Sequence, residues 1–259
     1  MKICENLWTK TSFHCKVYIC RKLETRNNLF RKYTNMNKSK DLTKPKKYEF
    51  AEEEPTMVEE PPIRYETLNL DPSKRYTYAE YLTWFDDIRR ELIDGFIHLM
   101  SAPNVIHAQL SNLLNFFVTL FVRQNKGKCR IFHAPFDVRL PKNNETDDDK
   151  IYNVVQPDIC VICDLSKLDY RGCIGAPDLI VEVLSHSTAK KDWTKKYDLY
   201  EESGVREYWI VDPKAKNVHT FILQPDGKYN TGTVYKCHQK APVHIFEGLE
   251  IDLNELFEE

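Results

Sequence analysis

Two apolar runs flank a predicted helix between residues 176 and 213, and this order constrains the fold of the chain most strongly. The runs APDLIVEVLS (176–185) and VREYWIVDP (205–213) have the composition of buried strands. The amphipathic stretch 188–203 lies between them and ends at Gly204, a typical helix stop. Strand, helix and strand in this order predict a right-handed crossover between parallel strands. We therefore expect an α/β domain, in the broad sense that includes α+β.

Two more helices are predicted upstream. Thr77 and Glu80 have the spacing of a capping box, which predicts a short helix after Thr77. Asn104 is placed to cap a long helix over about 105–125, and Gly127 provides a stop. Its apolar residues recur at three- and four-residue steps: Ile106, Leu110, Leu113, Leu114, Phe117 and Phe121. One face of this helix is therefore expected to lie on a sheet.

Several further strands are indicated by β-branched runs and turn residues. In ELIDGFIHLM (91–100), Asp94-Gly95 is a dipeptide that favours a tight hairpin turn. The runs CRIFHAPFDVRL (129–140) and NVVQPDICVIC (153–163) are predicted to be central strands, as is 176–185. A second hairpin is expected at Asp226-Gly227, followed by a last strand near VHIF (243–246).

The net charge of −2 hides a strong asymmetry between the two parts of the chain. Residues 1–50 carry 13 Lys and Arg against 4 Asp and Glu, or +9, which leaves 24 against 35, or −11, for the remainder. Residues 1–62 end in the acidic, proline-rich stretch AEEEPTMVEEPP and are expected to form a disordered arm before a domain at 63–256. Three readings of the arm stay open: a nucleic-acid-binding segment, an organelle-targeting leader, or an extension upstream of a start at Met36.

Cysteine usage and hydropathy indicate an intracellular protein. The eight cysteines follow no regular framework, so free thiols are expected. Cys160 and Cys163 have CxxC spacing, but no second ligand pair accompanies them, which favours plain strand residues over a metal or redox site. No uninterrupted apolar run is long enough to span a bilayer. The predicted location is cytoplasmic, without a membrane partner.

Two acidic residues interrupt apolar strands, and this is the strongest chemical signal in the chain. Glu182 lies in LIVEVL, and Asp158 follows Pro157 in VVQPDICVI, where the proline predicts a kink or bulge. A buried carboxylate costs several kcal/mol unless it is compensated. Two carboxylates on neighbouring strands predict a shared divalent cation such as Mg²⁺, which prefers oxygen ligands. The alternative is two separately satisfied structural acids.

A cation near these acids would stabilise a phosphodiester transition state, and Lys196 is the best candidate. Asp192, Lys196 and Tyr200 fall at four-residue steps, so they share one helical face. A surface ion pair explains the same spacing equally well. Glu91, before the first hairpin turn, and His107, in the first turn of the long helix, are weaker candidates for ligand or water-positioning roles.

The order ELIDG, PNVIH, QPDI, APDLIVEVLS and DWTKKYDLYEESGVREYWIVDP resembles the Uma-type restriction endonuclease family of the PD-(D/E)XK nuclease-like superfamily. The resemblance covers about residues 76–253. It implies a restriction-endonuclease-like fold, with a mixed β-sheet flanked by helices. It also implies a metal bound at the positions of Asp158 and Glu182, with Glu91 and His107 as assisting residues.

One position departs from the superfamily pattern. The usual lysine lies two residues after the second acid, where this chain has Leu184. The resemblance therefore implies that Lys196 is a migrated lysine, which approaches the metal from the helix instead of the strand.

The favoured hypothesis is a Mg²⁺- or Mn²⁺-dependent DNA endonuclease. Asp158 and Glu182 hold the metal in it, and Lys196 balances the negative charge that develops on the phosphate. A catalytically inactive binding or interaction module is the alternative, favoured by the acidic body because duplex binding normally uses basic surface. RNA is a further substrate that the sequence allows, and a homodimer is allowed but not required.

Overall fold

Two six-stranded sheets form the framework of the computed structural model, which describes residues 70–185 and 188–258. The strands are β1 (Arg90–Ile93), β2 (Phe96–Leu99), β3 (Arg130–His133), β4 (Val138–Arg139), β5 (Val154–Val155), β6 (Ile159–Ile162), β7 (Leu168–Asp169), β8 (Gly172–Ile174), β9 (Leu179–Val183), β10 (Glu207–Asp212), β11 (Asn217–Ile222), β12 (Thr233–Lys236), β13 (Lys240–Pro242) and β14 (Glu250–Asp252). The first sheet has the order β2-β1-β5-β4-β8-β7, the second has the order β12-β11-β10-β9-β6-β3, and β13 pairs with β14 alone.

The helices are short, apart from the one that packs on the second sheet. They are α1 (Tyr78–Tyr81), α2 (Val105–Gln124), α3 (Ala189–Lys191), α4 (Tyr197–Ser203) and α5 (Leu253–Phe257). A π-helical turn, Asp192–Lys196, joins α3 to α4. Three 3₁₀ turns lie at Lys142–Asn144, Asp148–Lys150 and Leu165–Lys167. The mixed sheets with flanking helices confirm the predicted fold class, whereas the predicted arm at 1–62 lies outside the described residues.

The local patterns placed several elements correctly. Thr77 and Glu80 form both hydrogen bonds of a capping box at α1. The β1-β2 hairpin turns at Asp94 and Gly95, which both have positive φ. Asn104 caps α2 through its side chain. Strands β9 and β10 are parallel and are connected by the predicted helix, which ends at Gly204 with φ of 84°.

Two predicted central strands are each divided between the sheets, which corrects the sequence interpretation. The run 129–140 forms β3 in the second sheet and β4 in the first, and the run 153–163 forms β5 in the first sheet and β6 in the second. Pro135 and Pro157 fall in the two gaps. Because proline has no N–H for a β-ladder, each chain segment leaves one sheet there and enters the other.

The hydrophobic core occupies both faces of the second sheet. One face, with residues such as Val161 and Val181, packs with α2 and with the C-terminal hairpin and helix α5. The other face, with residues such as Ile180 and Tyr208, packs with strands of the first sheet and with α4. A third cluster covers the outer side of the first sheet around Leu92.

Helix α2 deviates in part from its predicted face. Leu110 and Leu114 are buried as predicted, but Ile106 is 60% exposed. By length and composition this is the one helix, within 70–185 and 188–258, that is apolar enough to cross a membrane. A single helix of this kind is weak evidence, since core helices of soluble proteins meet the same criteria.

The C-terminal region contains another correction. A turn exists at Asp226-Gly227, bounded by the bridge between Leu223 and Tyr229. The predicted strand near VHIF (243–246) is wrong, because this segment is a turn between β13 and β14. The buried carboxylate of Glu207 accepts hydrogen bonds from the backbone N–H groups of residues 244 and 245, which a sheet neighbour would otherwise use.

The prediction of free thiols is wrong for one pair of cysteines. Cys129 and Cys163 form a disulfide. Arg130 pairs with Ile162 across antiparallel strands, so the residues just outside this pair face each other. Cys160 is a free, buried residue of β6, as the strand interpretation requires.

Gly172 lies where the first sheet is tightly packed near its edge. Gly172 has φ of 141°, and a Cβ atom there would overlap the carbonyl oxygen of Asp137. Gly204 also has positive φ, but nothing lies within 4 Å of its would-be Cβ. We expect Gly172→Ala to lower the free energy of unfolding by about 1–3 kcal/mol more than Gly204→Ala, because steric overlap adds to the backbone strain. Urea denaturation measures both variants, and equal losses would contradict the packing described.

Candidate active site

Asp158 and Glu182 lie side by side at one end of the second sheet. Ile159 of β6 pairs with Val181 of antiparallel β9, so Asp158, one residue earlier, stands across from Glu182. The backbone N–H of Val183 donates a hydrogen bond of 2.7 Å to Asp158 Oδ2. The break at Pro157 leaves this oxygen, and not a ladder carbonyl, to accept the bond. The structure thus brings together the two acids that the sequence singled out.

Lys196 lies beside Glu182 and is buried. Its Nζ atom is 2.8 Å from Glu182 Oε1, and its side chain is 3% exposed. The π-helical turn that ends at Lys196 directs this side chain toward β9. Tyr200, one turn later, donates a 2.6 Å hydrogen bond to the same oxygen. The shared helical face of Asp192, Lys196 and Tyr200 is therefore buried against the acids and is not a solvent-exposed ion pair.

Glu91 reaches the same cluster from β1 of the first sheet. Its Oε1 atom lies 2.8 Å from Lys196 Nζ, and its Oε2 atom lies 2.7 Å from Lys191 Nζ. The backbone N–H of Gln156 also donates to Oε1, at 3.0 Å. The Glu91 side chain is fully buried. Lys196 therefore bridges a carboxylate from each sheet.

Burial and nearby charge shift the ionisation of this cluster in opposite directions. Burial acts to raise the pKa of Glu91, but Lys196 and Lys191 outweigh it and lower that pKa to about 2. Burial raises the pKa of Glu182 to about 8, although Lys196 opposes the shift. Burial likewise raises the pKa of Asp192 to about 6. For Glu182 and Asp192, the effect of burial on the pKa is larger than the opposing effect of the nearby lysines.

His107 holds Asp158 from the other side. It lies in the first turn of α2, and its Nε2 atom is 3.0 Å from Asp158 Oδ2. Burial acts to lower the pKa of His107, but the hydrogen bond and the charge of Asp158 raise it above its ordinary value. His107 therefore orients one oxygen of Asp158 and leaves the other for a ligand.

Six of the side chains described above line one cavity of about 330 Å³. Its lining includes Asp158, Glu182, Asp192, Lys191, Lys196 and His107. Four carboxyl groups (158, 182, 91 and 192) face two ammonium groups (191 and 196), and the raised pKa of Glu182 favours its protonated form at neutral pH in metal-free protein. A divalent cation beside Glu182 would favour its ionised form and would then balance two excess negative charges (4 − 2), before His107 is counted.

The donor set fits a hard cation with few protein ligands. The hydrogen bonds of the described residues use Oδ2 of Asp158 and Oε1 of Glu182, and the second oxygen of each carboxylate accepts none of them. Asp192 Oδ1 is buried and has no hydrogen-bond partner among the described residues. No group of three or more potential ligand side chains is found in that part of the chain. Mg²⁺ suits such a site, because it commonly binds one or two carboxylates together with water and substrate phosphate.

Two residues of the site were missed by the sequence interpretation. Lys191 precedes the Asp192, Lys196 and Tyr200 pattern, and the adjacent Lys190 gave no basis for choosing between the two lysines. Gln156 lies in the QPDI motif, but its role depends on a backbone N–H, which no side-chain pattern reveals.

A family model, a curated relative and a solved structure are similar to this chain. The model of the Uma2 family, described as "Putative restriction endonuclease", matches residues 78–254. An uncharacterised protein of Synechocystis, slr1290, is 27% identical over 162 residues, which are 61% of this chain and 80% of that protein. A crystal structure from Anabaena variabilis, titled as a putative nuclease belonging to DUF820, superposes with a TM-score of 0.56. It is 19% identical and covers 70% of this chain and 97% of its own, so it supports the fold.

The raised pKa of Glu182 predicts a pH dependence of stability in metal-free protein. Between its ordinary value of 4.5 and about 8, the folded state retains a proton that the unfolded state releases. The stabilisation from this group is thus present below pH 4.5 and is lost as the pH rises to 8. Glu182→Gln has no such proton, so its free energy of unfolding relative to wild type should increase from pH 5 to pH 8.

Urea denaturation in EDTA at several pH values measures this difference. Glu250→Gln, at an exposed strand position, serves as the matched control and should follow the wild-type curve. A constant difference between Glu182→Gln and wild type from pH 5 to pH 8 would refute the assignment.

Proposed function

Because the chain belongs to the Uma2 family, which is described as "Putative restriction endonuclease", we propose that it is a metal-dependent endonuclease that hydrolyses the phosphodiester bonds of DNA. The observation that carries this proposal is the pairing of Asp158 and Glu182 in a cavity, each with an oxygen that accepts no hydrogen bond from the described residues. The negative charge that the cluster carries once Glu182 is ionised supports a divalent cation as the ligand of this site.

Mg²⁺ or Mn²⁺, when bound, would supply positive charge to the scissile phosphate and lower the pKa of water. Asp158 and Glu182 are the residues that would hold it. His107 keeps Asp158 in place by the 3.0 Å contact, and Tyr200 does the same for Glu182 by its 2.6 Å hydrogen bond. These contacts leave the ligand oxygens preorganised, which reduces the cost of binding.

The proposed reaction is hydrolysis at phosphorus. The oxygen of a water molecule forms a bond to phosphorus and the water gives up a proton, while the bond from phosphorus to one ester oxygen breaks and the leaving oxygen takes up a proton. Negative charge accumulates on the phosphate as this happens. Burial acts to lower the pKa of Lys196, but the charges of Glu182 and Glu91 outweigh it and hold that pKa well above its ordinary value, so Lys196 keeps its positive charge in the site. In this proposal Glu91 fixes the position of Lys196, and it has no direct contact with the metal.

The first test is plasmid nicking in the presence of Mg²⁺ or Mn²⁺. Asp158→Asn and Glu182→Gln should each reduce the rate by at least about a hundredfold, because each removes one of two charged metal ligands. Asp198→Asn, at an exposed position of α4, is the control and should cut like wild type.

Thermal unfolding provides a second readout of the same site. Mg²⁺ at about a hundred times its Kd should stabilise the wild type by about 2.7 kcal/mol. The two site variants should lose this effect. Full cutting by both variants would exclude the proposed site.

The proposal that DNA is the substrate is supported by the distribution of basic residues along the chain. Residues 1–50 carry +9 and the remainder carries −11, so we propose that the arm supplies much of the attraction to the phosphate backbone. Deletion of residues 1–50 should weaken duplex binding and flatten the dependence of log Kd on log salt. Fluorescence anisotropy at several salt concentrations measures both quantities.

The alternative function is a catalytically inactive module that retains the fold, and the acidic body favours it. Such a module would show no salt-dependent DNA binding with or without the arm. RNA duplexes and single strands, included in the same measurements, decide between DNA and RNA as the preferred ligand.

A further inference from the structure

Lys191 is the less constrained of the two lysines in the cavity. It ends α3, and its Nζ atom donates a 2.7 Å hydrogen bond to Glu91 Oε2. Its side chain is 13% exposed, whereas that of Lys196 is 3% exposed. Both lysines line the cavity that contains Asp158 and Glu182. Lys191 therefore lies between the buried cluster and the solvent, where a ligand would enter.

The hydrogen-bonding capacity of the two ammonium groups differs. An ammonium group has three N–H donors and no acceptor. Lys196 has close ion pairs with Glu182 and Glu91, both at 2.8 Å, and a third carboxylate, that of Asp192, lies 3.9 Å away. Two of the three N–H donors of Lys196 are thus used by Glu182 and Glu91, and the third points into a buried site that Asp192 approaches without a hydrogen bond. Lys191 forms its one described ion pair with Glu91, so two of its N–H donors have no partner among the described residues.

Glu91 would remain satisfied if Lys191 turned toward a ligand. Its Oε1 atom keeps Lys196 at 2.8 Å and the backbone N–H of Gln156 at 3.0 Å. A buried carboxylate left without any partner would cost several kcal/mol, but here one full ion pair persists. The movement of Lys191 is thus compatible with the buried cluster, whereas the same movement by Lys196 would deprive both Glu182 and Glu91 of their shared cation.

From these contacts we propose, on the basis of the nuclease function above, that Lys191 is a catalytic residue that donates a hydrogen bond to a non-bridging oxygen of the substrate phosphate. Lys196 then acts as a positioning residue, which holds Glu182 and Glu91 in place. The division of roles follows from burial and from the number of acids around each amine. The ligand is a phosphodiester, whose oxygen competes with Glu91 Oε2 for Lys191.

The chain offers a matched control in the neighbouring lysine. Lys190 is exposed and belongs to the same short helix, and the lining of the cavity does not include it. Lys191→Met and Lys190→Met remove the same charge from adjacent positions. Lys191→Arg restores the charge and a donor, and should recover part of the activity.

We expect Lys191→Met to reduce kcat/KM for nicking by about ten- to a hundredfold, the usual effect of one hydrogen bond to a charged group. Lys190→Met should stay within about twofold of wild type, in the range of surface changes. Thermal unfolding checks that the folded state persists in each variant. If the wild type cuts, equal rates for the two methionine variants would overturn the proposal.

Binding without cleavage separates this proposal from the nuclease function itself. A short DNA duplex in Ca²⁺ is the probe, and anisotropy gives its Kd at several salt concentrations. Lys191→Met should weaken binding and reduce the slope of log Kd against log salt by about one relative to Lys190→Met, as expected for the loss of one phosphate contact. Equal Kd and equal slope would overturn the Lys191 contact even if the wild type cuts DNA.

A wild type that fails to cut would overturn the nuclease function alone. Unequal binding by the two methionine variants would still support the phosphate contact of Lys191. Equal binding in that case would overturn both proposals.

Discussion

One buried ammonium group holds the two sheets together at the candidate site. Lys196 Nζ lies 2.8 Å from Glu182 of the second sheet and 2.8 Å from Glu91 of the first. Removal of an ion from water costs several kcal/mol, so each of these three groups requires the others. The position of Glu182, and with it the geometry of any bound cation, therefore depends on a strand of the other sheet.

The three-residue segment 156–158 lies beside an acidic residue of each sheet. Gln156 donates its backbone N–H to Glu91, Pro157 ends the first ladder, and Asp158 takes its place across from Glu182. A single proline thus allows one stretch of chain to support an acid in each sheet. This explains why the site forms where the two sheets exchange strands.

Much of the site was predictable from local patterns. A lone acid in an apolar strand must be compensated wherever the strand lies, which identified Asp158 and Glu182. The four-residue spacing of Asp192, Lys196 and Tyr200 identified a common helical face. The spacing did not predict whether that helical face is buried, because an exposed and a buried ion pair have identical spacing. Lys191 was not predicted, because the sequence of two adjacent lysines does not indicate which side chain faces the protein interior.

The sequence by itself determined the short-range features: the capping box at Thr77, the hairpin turn at Asp94, the parallel β9-helix-β10 unit and the pair of strand acids. Each depends on backbone preferences or on the burial of a few neighbouring side chains. Only the tertiary structure decided that the proline-containing runs divide between two sheets, that Cys129 meets Cys163, and that Glu91 shares Lys196 with Glu182. Those outcomes depend on pairing partners far apart in the chain, whose contacts are selected by the packing of the whole core.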